Sequence, residues 1–381
     1  DRPFFFFFLM IEDFLDILFE YTTFSFFMIK WSIFFVIIML CSCNKHKPIN
    51  SDSLPDGLPR VEILLNEIDF NGYILLRKII SPGAMMMINS LGEVVWFQES
   101  NTALNRVFRP YANSYVALIS KSDLVEISYG GDTLMHLEYG VNGFDRKLHH
   151  DVMKDNENNY VALTHEKLAI NLLAHGGDEL DTIKHDGIIK LSANGEKLWS
   201  WNLSDHLNPL EGREVIRKTA DWGHANALEI DSDGNYLMSF RDFNEIWKID
   251  SESGVVIWKY GDHFIKDSEH HFFGQHSINL MSSGDLLMFD NGHFKHRKRS
   301  RALAFRRENE TFLNTLSIEL PDSLFSWKQG SVYQFNENYF LFNISMRKKI
   351  GITNQSGDIL WMARTDNEFY RAYYIDDSVR F

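Results

Sequence analysis

HANALEID at 224–231, the turn SDG at 232–234, NYLMSFR at 235–241, EIWKID at 245–250, a turn at Ser253-Gly254 and VVIWKY at 255–260 form one continuous pattern. Apolar and polar residues alternate with a period of two, and the runs are joined by turns containing Asp, Ser and Gly, the residues that favour tight reversals. None of the runs carries a helical period. The stretch therefore predicts four short antiparallel strands joined by hairpins. Its last strand opens with Gly254 and reaches Trp258, and the same spacing recurs at Gly92–Trp96, Gly195–Trp199 and Gly357–Trp361, with a weaker copy at Gly131–Met135.

A four-strand unit repeated in this way marks a β-propeller, whose blades are four-stranded sheets set around an axis. The units fall near 68–100, 105–140, 148–202, 222–262, 274–318 and 327–365. The expected fold is all-β, a six-bladed propeller of four-stranded antiparallel blades, with a seventh blade, or one built from both termini, left open. The unit at 274–318 lacks the Gly-to-Trp ending, and 166–186 reads as a loop insertion.

The chain has 381 residues, 45% of them hydrophobic and 24% charged, which is ordinary globular composition. A net charge of -14 argues against a nucleic-acid partner, since phosphate neutralisation needs clustered Lys and Arg. The one basic cluster, His296-Arg297-Lys298-Arg299-Ser300-Arg301, reads as a solvated loop. Both cysteines, Cys41 and Cys43, lie near the N-terminus, so no disulfide or thiol chemistry is expected in the body.

Residues 1–27 lack an initiating Met, carry the run Phe4–Phe8 and read as an upstream extension outside the fold. From Met28 a basic start, the apolar stretch Trp31–Leu40 and Leu40-Cys41-Ser42-Cys43 have the parts of a secretory signal too short to span a bilayer. The tetrad resembles the lipobox of bacterial lipoproteins, which makes 28–43 a lipoprotein signal peptide and Cys43 the lipid anchor. Residues 44–56 then form a tether, and 57–381 a single catalytic propeller. The expected location is the bacterial cell envelope, as a periplasmic or outer-surface lipoprotein whose membrane contact is the lipid alone.

Placing Tyr160, Tyr236 and Leu286 in register, each just after the first turn of its blade, aligns two polar columns. One holds His150, Asn226 and His276; the other holds His165, Arg241 and Asn291. Antiparallel pairing brings the start of the first strand and the end of the second to one end of the hairpin. The first strand lines the axis, so these side chains converge at one mouth of the channel, with His224 on the same face as Asn226. A single histidine at a strand start is usually structural; a convergent set from successive blades is a site. Phe144, Trp222, Phe243, Phe272, Phe273 and Tyr370 could wall it, although aromatics in such a fold are more often core.

Asp221-Trp222-Gly223-His224-Ala225-Asn226, followed by Ser239-Phe240-Arg241, resembles the signature region of the arylsulfotransferase family. Gln275-His276 before Phe289-Asp290-Asn291-Gly292, and His149-His150-Asp151, are similar too. The resemblance spans roughly 65–375. It implies an enzyme that passes a sulfuryl group from an aryl sulfate to a phenol by ping-pong steps, without a nucleotide donor. By the same resemblance His276 becomes transiently sulfurylated, while His224, Asn226, Arg241 and one of His149 and His150 hold the sulfate oxygens; the column favours His150. His165 and Asn291 are second-tier. The chemistry agrees, because sulfuryl transfer needs fixed cationic and N–H donors and a neutral imidazole is a competent nucleophile. The chain lacks a Gly-x-x-x-x-Gly-Lys-Ser/Thr phosphate loop, and no cofactor is expected.

The same site could serve an arylsulfate hydrolase if water competes for the histidine. Three imidazoles could bind zinc, but Arg241 beside them suits an oxyanion better, so no metal is expected. A non-catalytic envelope propeller that binds protein or glycan would not need a convergent His/Arg set.

Overall fold

The computed structural model describes residues 46–381 except 79, 82, 101–106, 211–220 and 262–269. The lipobox, Cys43 and the rest of the N-terminal signal lie outside the described residues.

Six sheets are arranged as blades among the described residues, antiparallel throughout except where Asp221–Trp222 pairs in parallel with Lys184 and His185 of the third. The third blade is built from Lys147–Lys154, Tyr160–Ile170, Asp181–Leu191 and Lys197–Asn202; the fourth from Ala225–Ile230, Tyr236–Phe240, Glu245–Ile249 and Val256–Gly261; the fifth from His276–Leu280, Leu286–Asp290, Arg301–Glu308 and Thr311–Glu319. These edges agree closely with the repeat units. Both termini close the ring. Ala372–Ile375 supplies the inner strand of the first blade by pairing with Tyr73–Lys78, and Val61–Asn66 adds a fifth, outer strand to the last blade by pairing with Ile359–Thr365.

The alternation in each strand now has a packing meaning. In Leu286–Asp290, Leu286 and Met288 enter an apolar cluster with the fourth blade, while Leu287 and Phe289 enter one with the sixth. Six such clusters, one between each pair of successive blades, make up the core. Inner strands are therefore buried on both faces. The repeated tryptophans latch neighbouring blades: the indole N–H of Trp96 donates to Tyr129 O at 2.9 Å, that of Trp199 to Glu252 O at 3.1 Å and that of Trp361 to Ser90 O at 2.7 Å. Each partner lies in the next blade around the ring, so the Gly-to-Trp repeat encodes the packing of blade on blade.

Three expectations need correction. The segment 166–186 is largely a ladder, not a loop: the third blade's central hairpin runs out to Ile170↔Asp181, because Leu168, Ile170 and Ile183 pack against the core. The stretch read as a tether is in part docked. Ile49 and Leu54 pack against the cluster between the last and first blades, and Ile49 N donates to Val94 O at 2.8 Å. The basic run is only partly solvated, since Arg297 and the buried Arg301 both clamp the fully buried Asp290. A carboxylate removed from water needs that pairing.

Candidate active site

In three successive blades the innermost strand carries a register break at the same height. Pairing slips between Ala162 and Leu163 opposite His149 and Val152, between Ala225 and Ala227, and between His276 and Asn279. A β-bulge re-aims side chains that a regular strand would send to alternate faces. His150 and Ser277, inside their breaks, adopt positive φ of 50° and 55°, as does His224, immediately before the break that starts at Ala225, at 49°. Side chains rarely accept that backbone conformation, and the surrounding sheets must hold them in it.

His276 is the most constrained member. Its Nδ1 lies 2.8 Å from Gly274 O and 2.8 Å from Asn291 Oδ1. Asn291 is fully buried and donates its amide to Ser326 O and Gln329 O, each at 2.7 Å, which fixes Oδ1 as the acceptor facing the imidazole. Both partners of Nδ1 are acceptors, so Nδ1 carries the proton and Nε2 keeps its lone pair. The backbone N–H of Gln329 donates to that nitrogen at 3.2 Å. Burial, and after it the charge of Arg241, push the imidazole down to about 3, so His276 is neutral at neutral pH.

Around it stand the other expected residues. His224 donates from Nδ1 to Asp221 Oδ2 at 2.9 Å, and Lys184 holds the same oxygen at 2.7 Å. Burial alone would raise the Asp221 carboxyl; the bonds from His224 and Lys184 outweigh it and hold it well below the usual range. The His224 ring is 5.0 Å from that of His150. Arg241 is one-third exposed, donates to Asp242 at 2.6 Å and has its backbone N–H on His224 O at 3.2 Å. Asn226 is fully buried, with Nδ2 donating to Gln275 O at 2.7 Å and Oδ1 meeting no donor among the described residues.

Of the six aromatic candidates, Tyr370 stands against the site, its ring 6.1 Å from His150 and 6.3 Å from His276. Phe144, Trp222, Phe243 and Phe272 are core, and Phe273 stacks on His296. Beneath the mouth Arg371 makes a bidentate pair with the buried Asp151, 2.9 Å on each side, and donates to Asn226 O at 3.1 Å. The C-terminal segment that closes the ring thus also braces the floor of the site. Repeat reasoning could not find Arg371, Asp151, Asp186 or the Gln329 N–H, since none lies in an aligned column.

His149 and His165 form a face-to-face stack at 3.5 Å behind His150. His149, His165 and Asp186 bring three donor atoms within 4.8 Å of one another. The rings are parallel to within 5°, so their in-plane lone pairs run side by side and do not converge. A cation requires convergence, and the trio does not fit one as it stands. A cavity of about 290 Å³ opens here, walled by Lys121, Leu148, His150, His165 and Lys184.

The site has a consequence for stability. Burial holds His149 down to about 3 and His165 down to about 2, alongside His276. Between about pH 3 and 6.5 the unfolded chain binds protons there that the folded protein does not, at about 1.4 kcal/mol per pH unit for each group. This stability is fully present above about pH 6.5 and is lost as pH falls toward 3. Asp186 runs the other way, because burial raises its carboxyl and its contribution fades as pH rises. The expected result is a melting temperature that drops from pH 7 to pH 5, with net proton uptake on unfolding at pH 5. A flat profile would show that these histidines are not held neutral.

A family model described as Arylsulfotransferase (ASST) matches residues 69–313. No curated protein matches the sequence. Among solved structures, a Bacteroides caccae protein of unknown function aligns at 12% identity with a TM-score of 0.51, covering 80% of this chain and 99% of that one. A 6-phosphogluconolactonase-like protein of Bacteroides fragilis aligns at 12% identity with a TM-score of 0.46, covering 80% and 98%. The first likeness concerns the fold alone.

Proposed function

The chain belongs to the arylsulfotransferase family, a sulfotransferase in general function, and from that premise we propose that it moves a sulfuryl group from an aryl sulfate to a phenol through His276. The observation that carries this reading is the state of His276: neutral, its proton fixed on Nδ1 by Asn291, and its Nε2 unprotonated, its lone pair engaged by the Gln329 N–H at 3.2 Å. Nε2 attacks sulfur, the donor phenol leaves, and an acceptor phenol removes the group from nitrogen in a second displacement. Arg241 and His224 lie around the position where charge builds on the sulfuryl oxygens, and the Gln329 N–H is released from Nε2 when that nitrogen bonds to sulfur. Asn226 has one amide hydrogen uncommitted. His150, not His149, faces the reacting group, because His149 spends Nδ1 on His150 and Nε2 on Thr164 O. No nucleotide donor, cofactor or metal takes part.

The test is nitrophenol release from 4-nitrophenyl sulfate by residues 46–381, with and without added phenol. Release that rises with phenol, with aryl sulfate formed in equal amount, is expected. Release indifferent to phenol would identify an arylsulfate hydrolase, and no release would contradict the reading. The lipid anchor at Cys43 and the cell-envelope location belong to this proposal; globomycin-sensitive processing of the full chain would test them.

A further inference from the structure

Transfer between two phenols requires a proton as well as a sulfuryl group. The departing phenolate must gain a proton in the first half-reaction, and the attacking phenol must lose one in the second. Neither Arg241 nor His276 can handle it. The Arg241 guanidinium offers donors and no acceptor, and His276 needs its Nδ1 proton for the bond to Asn291. Any route for this proton rests on the reading of His276 as the sulfuryl carrier.

His150 leads inward to a connected chain. Its Nδ1 lies 2.7 Å from Nδ1 of His149, so one and only one of these two nitrogens carries a proton. The other nitrogen of His149 lies 2.9 Å from Thr164 O and 3.3 Å from Asp186 Oδ1. Asp186 is fully buried. Its Oδ2 accepts the Ala225 N–H at 2.8 Å, whereas Oδ1 has no full hydrogen bond among the described residues. His165 Nε2, likewise unbonded, lies 3.7 Å from that oxygen and offers an acceptor when the acid is protonated. An orphaned buried oxygen facing imidazole nitrogen is costly in one charge state only, which is the signature of a group that changes state.

We propose that His150, His149 and Asp186 form a proton relay that stores the phenol proton inside the third blade between the two half-reactions. The bond from His149 Nε2 to Thr164 O is that of the emptied state; in the loaded state His149 gives up that bond and accepts from Asp186, which bears the proton on Oδ1, while His149 bears one on Nδ1 and His150 one on Nε2. When His276 Nε2 bonds to sulfur and the S–O(aryl) bond breaks, the departing phenolate takes the His150 Nε2 proton. His150 Nδ1 then takes the His149 proton, and His149 Nε2 takes that of Asp186. The result is a neutral phenol, a sulfurylated imidazolium that keeps its Nδ1 proton, and an Asp186 carboxylate. The single negative charge has moved from the aryl sulfate to Asp186. The acceptor phenol reverses every step: its oxygen bonds to sulfur, the S–N bond breaks and its proton returns along the same path. Burial raises the Asp186 carboxyl well above its usual value, which suits an acid that must hold a proton near neutral pH. Thr164 O steadies His149 in the emptied state, when Nε2 carries the proton. His150 touches the phenol; His149 and Asp186 act through it as positioning residues.

The test is the pre-steady-state burst of phenol in the absence of acceptor, for two donors. 4-Nitrophenyl sulfate releases a phenolate that needs no proton, and phenyl sulfate releases one that does. Asp186→Asn should slow the phenyl sulfate burst about a hundredfold, within the range of general acid catalysis, and the 4-nitrophenyl sulfate burst less than about fivefold. His149→Gln breaks the middle link and should repeat that split. Equal losses on both donors, or none on either, would overturn the relay. If Asp186→Asn fails to fold, His149→Gln with an unchanged melting temperature reads the same split. No burst from the unmodified protein with either donor would instead contradict the sulfuryl-transfer reading on which the relay stands.

Discussion

His276→Ala should lower kcat for transfer from 4-nitrophenyl sulfate by on the order of 10⁴-fold or more, the scale on which removing a covalent nucleophile acts. The alanine leaves no nitrogen to accept the group, and no other residue can substitute for it. His224 is turned by Asp221 and His149 is spent on both nitrogens. Donor binding should change far less than kcat, since Arg241 and His224 remain. The variant also strips a partner from Asn291 Oδ1 and from the Gln329 N–H, a cost of about 1–3 kcal/mol for a buried polar group left unmet. Melting temperature measured beside activity separates the two effects. A variant that is folded and still within tenfold of the parent would remove His276 from the mechanism.

Arg241→Met should cost about 10²–10³ in kcat, the effect of deleting one fixed donor to developing oxyanion charge. Arg241→Lys should recover only part of this, because the fork that spans two oxygens is lost. The substitution has a second readout. Burial is the larger cause of the low His276 value and Arg241 the next, so removing the cation should shift the acid limb of the pH–rate profile upward. Loss of rate with an unmoved acid limb would place Arg241 farther from His276 than this electrostatic coupling requires.

Much of the fold and of the site is legible in the residues alone. The Gly-to-Trp repeat marks the blades because each Trp must reach the next blade, and register across blades assembles His150, Asn226 and His276 with His165, Arg241 and Asn291. What the columns could not separate was role. Asn291 and His165 align with Arg241, yet one orients His276 and the other backs His149, since neighbouring blades place equivalent residues at different depths. The bulges at His149–Val152, Ala225–Ala227 and His276–Asn279 leave no mark in an alternating pattern, and the first of them sets His150 at positive φ beside the more deeply buried His149. Asp186 was hidden for a different reason. It lies in a segment whose polar residues mimic a loop, while the strand continues because Leu168, Ile170 and Ile183 find core to cover. Arg371 joins the floor only through ring closure, a contact 220 residues away in sequence from Asp151.

The central claim is that sulfur is carried on His276. Mixing the protein with an aryl sulfate in the absence of acceptor, quenching rapidly in base and mapping the peptides by mass spectrometry tests it directly. One SO₃ on the peptide containing His276, removed by a chase of phenol at the rate of turnover, is the expected result. Turnover with no adduct, or an adduct on His224 or His150 that phenol discharges at the same rate, would contradict it.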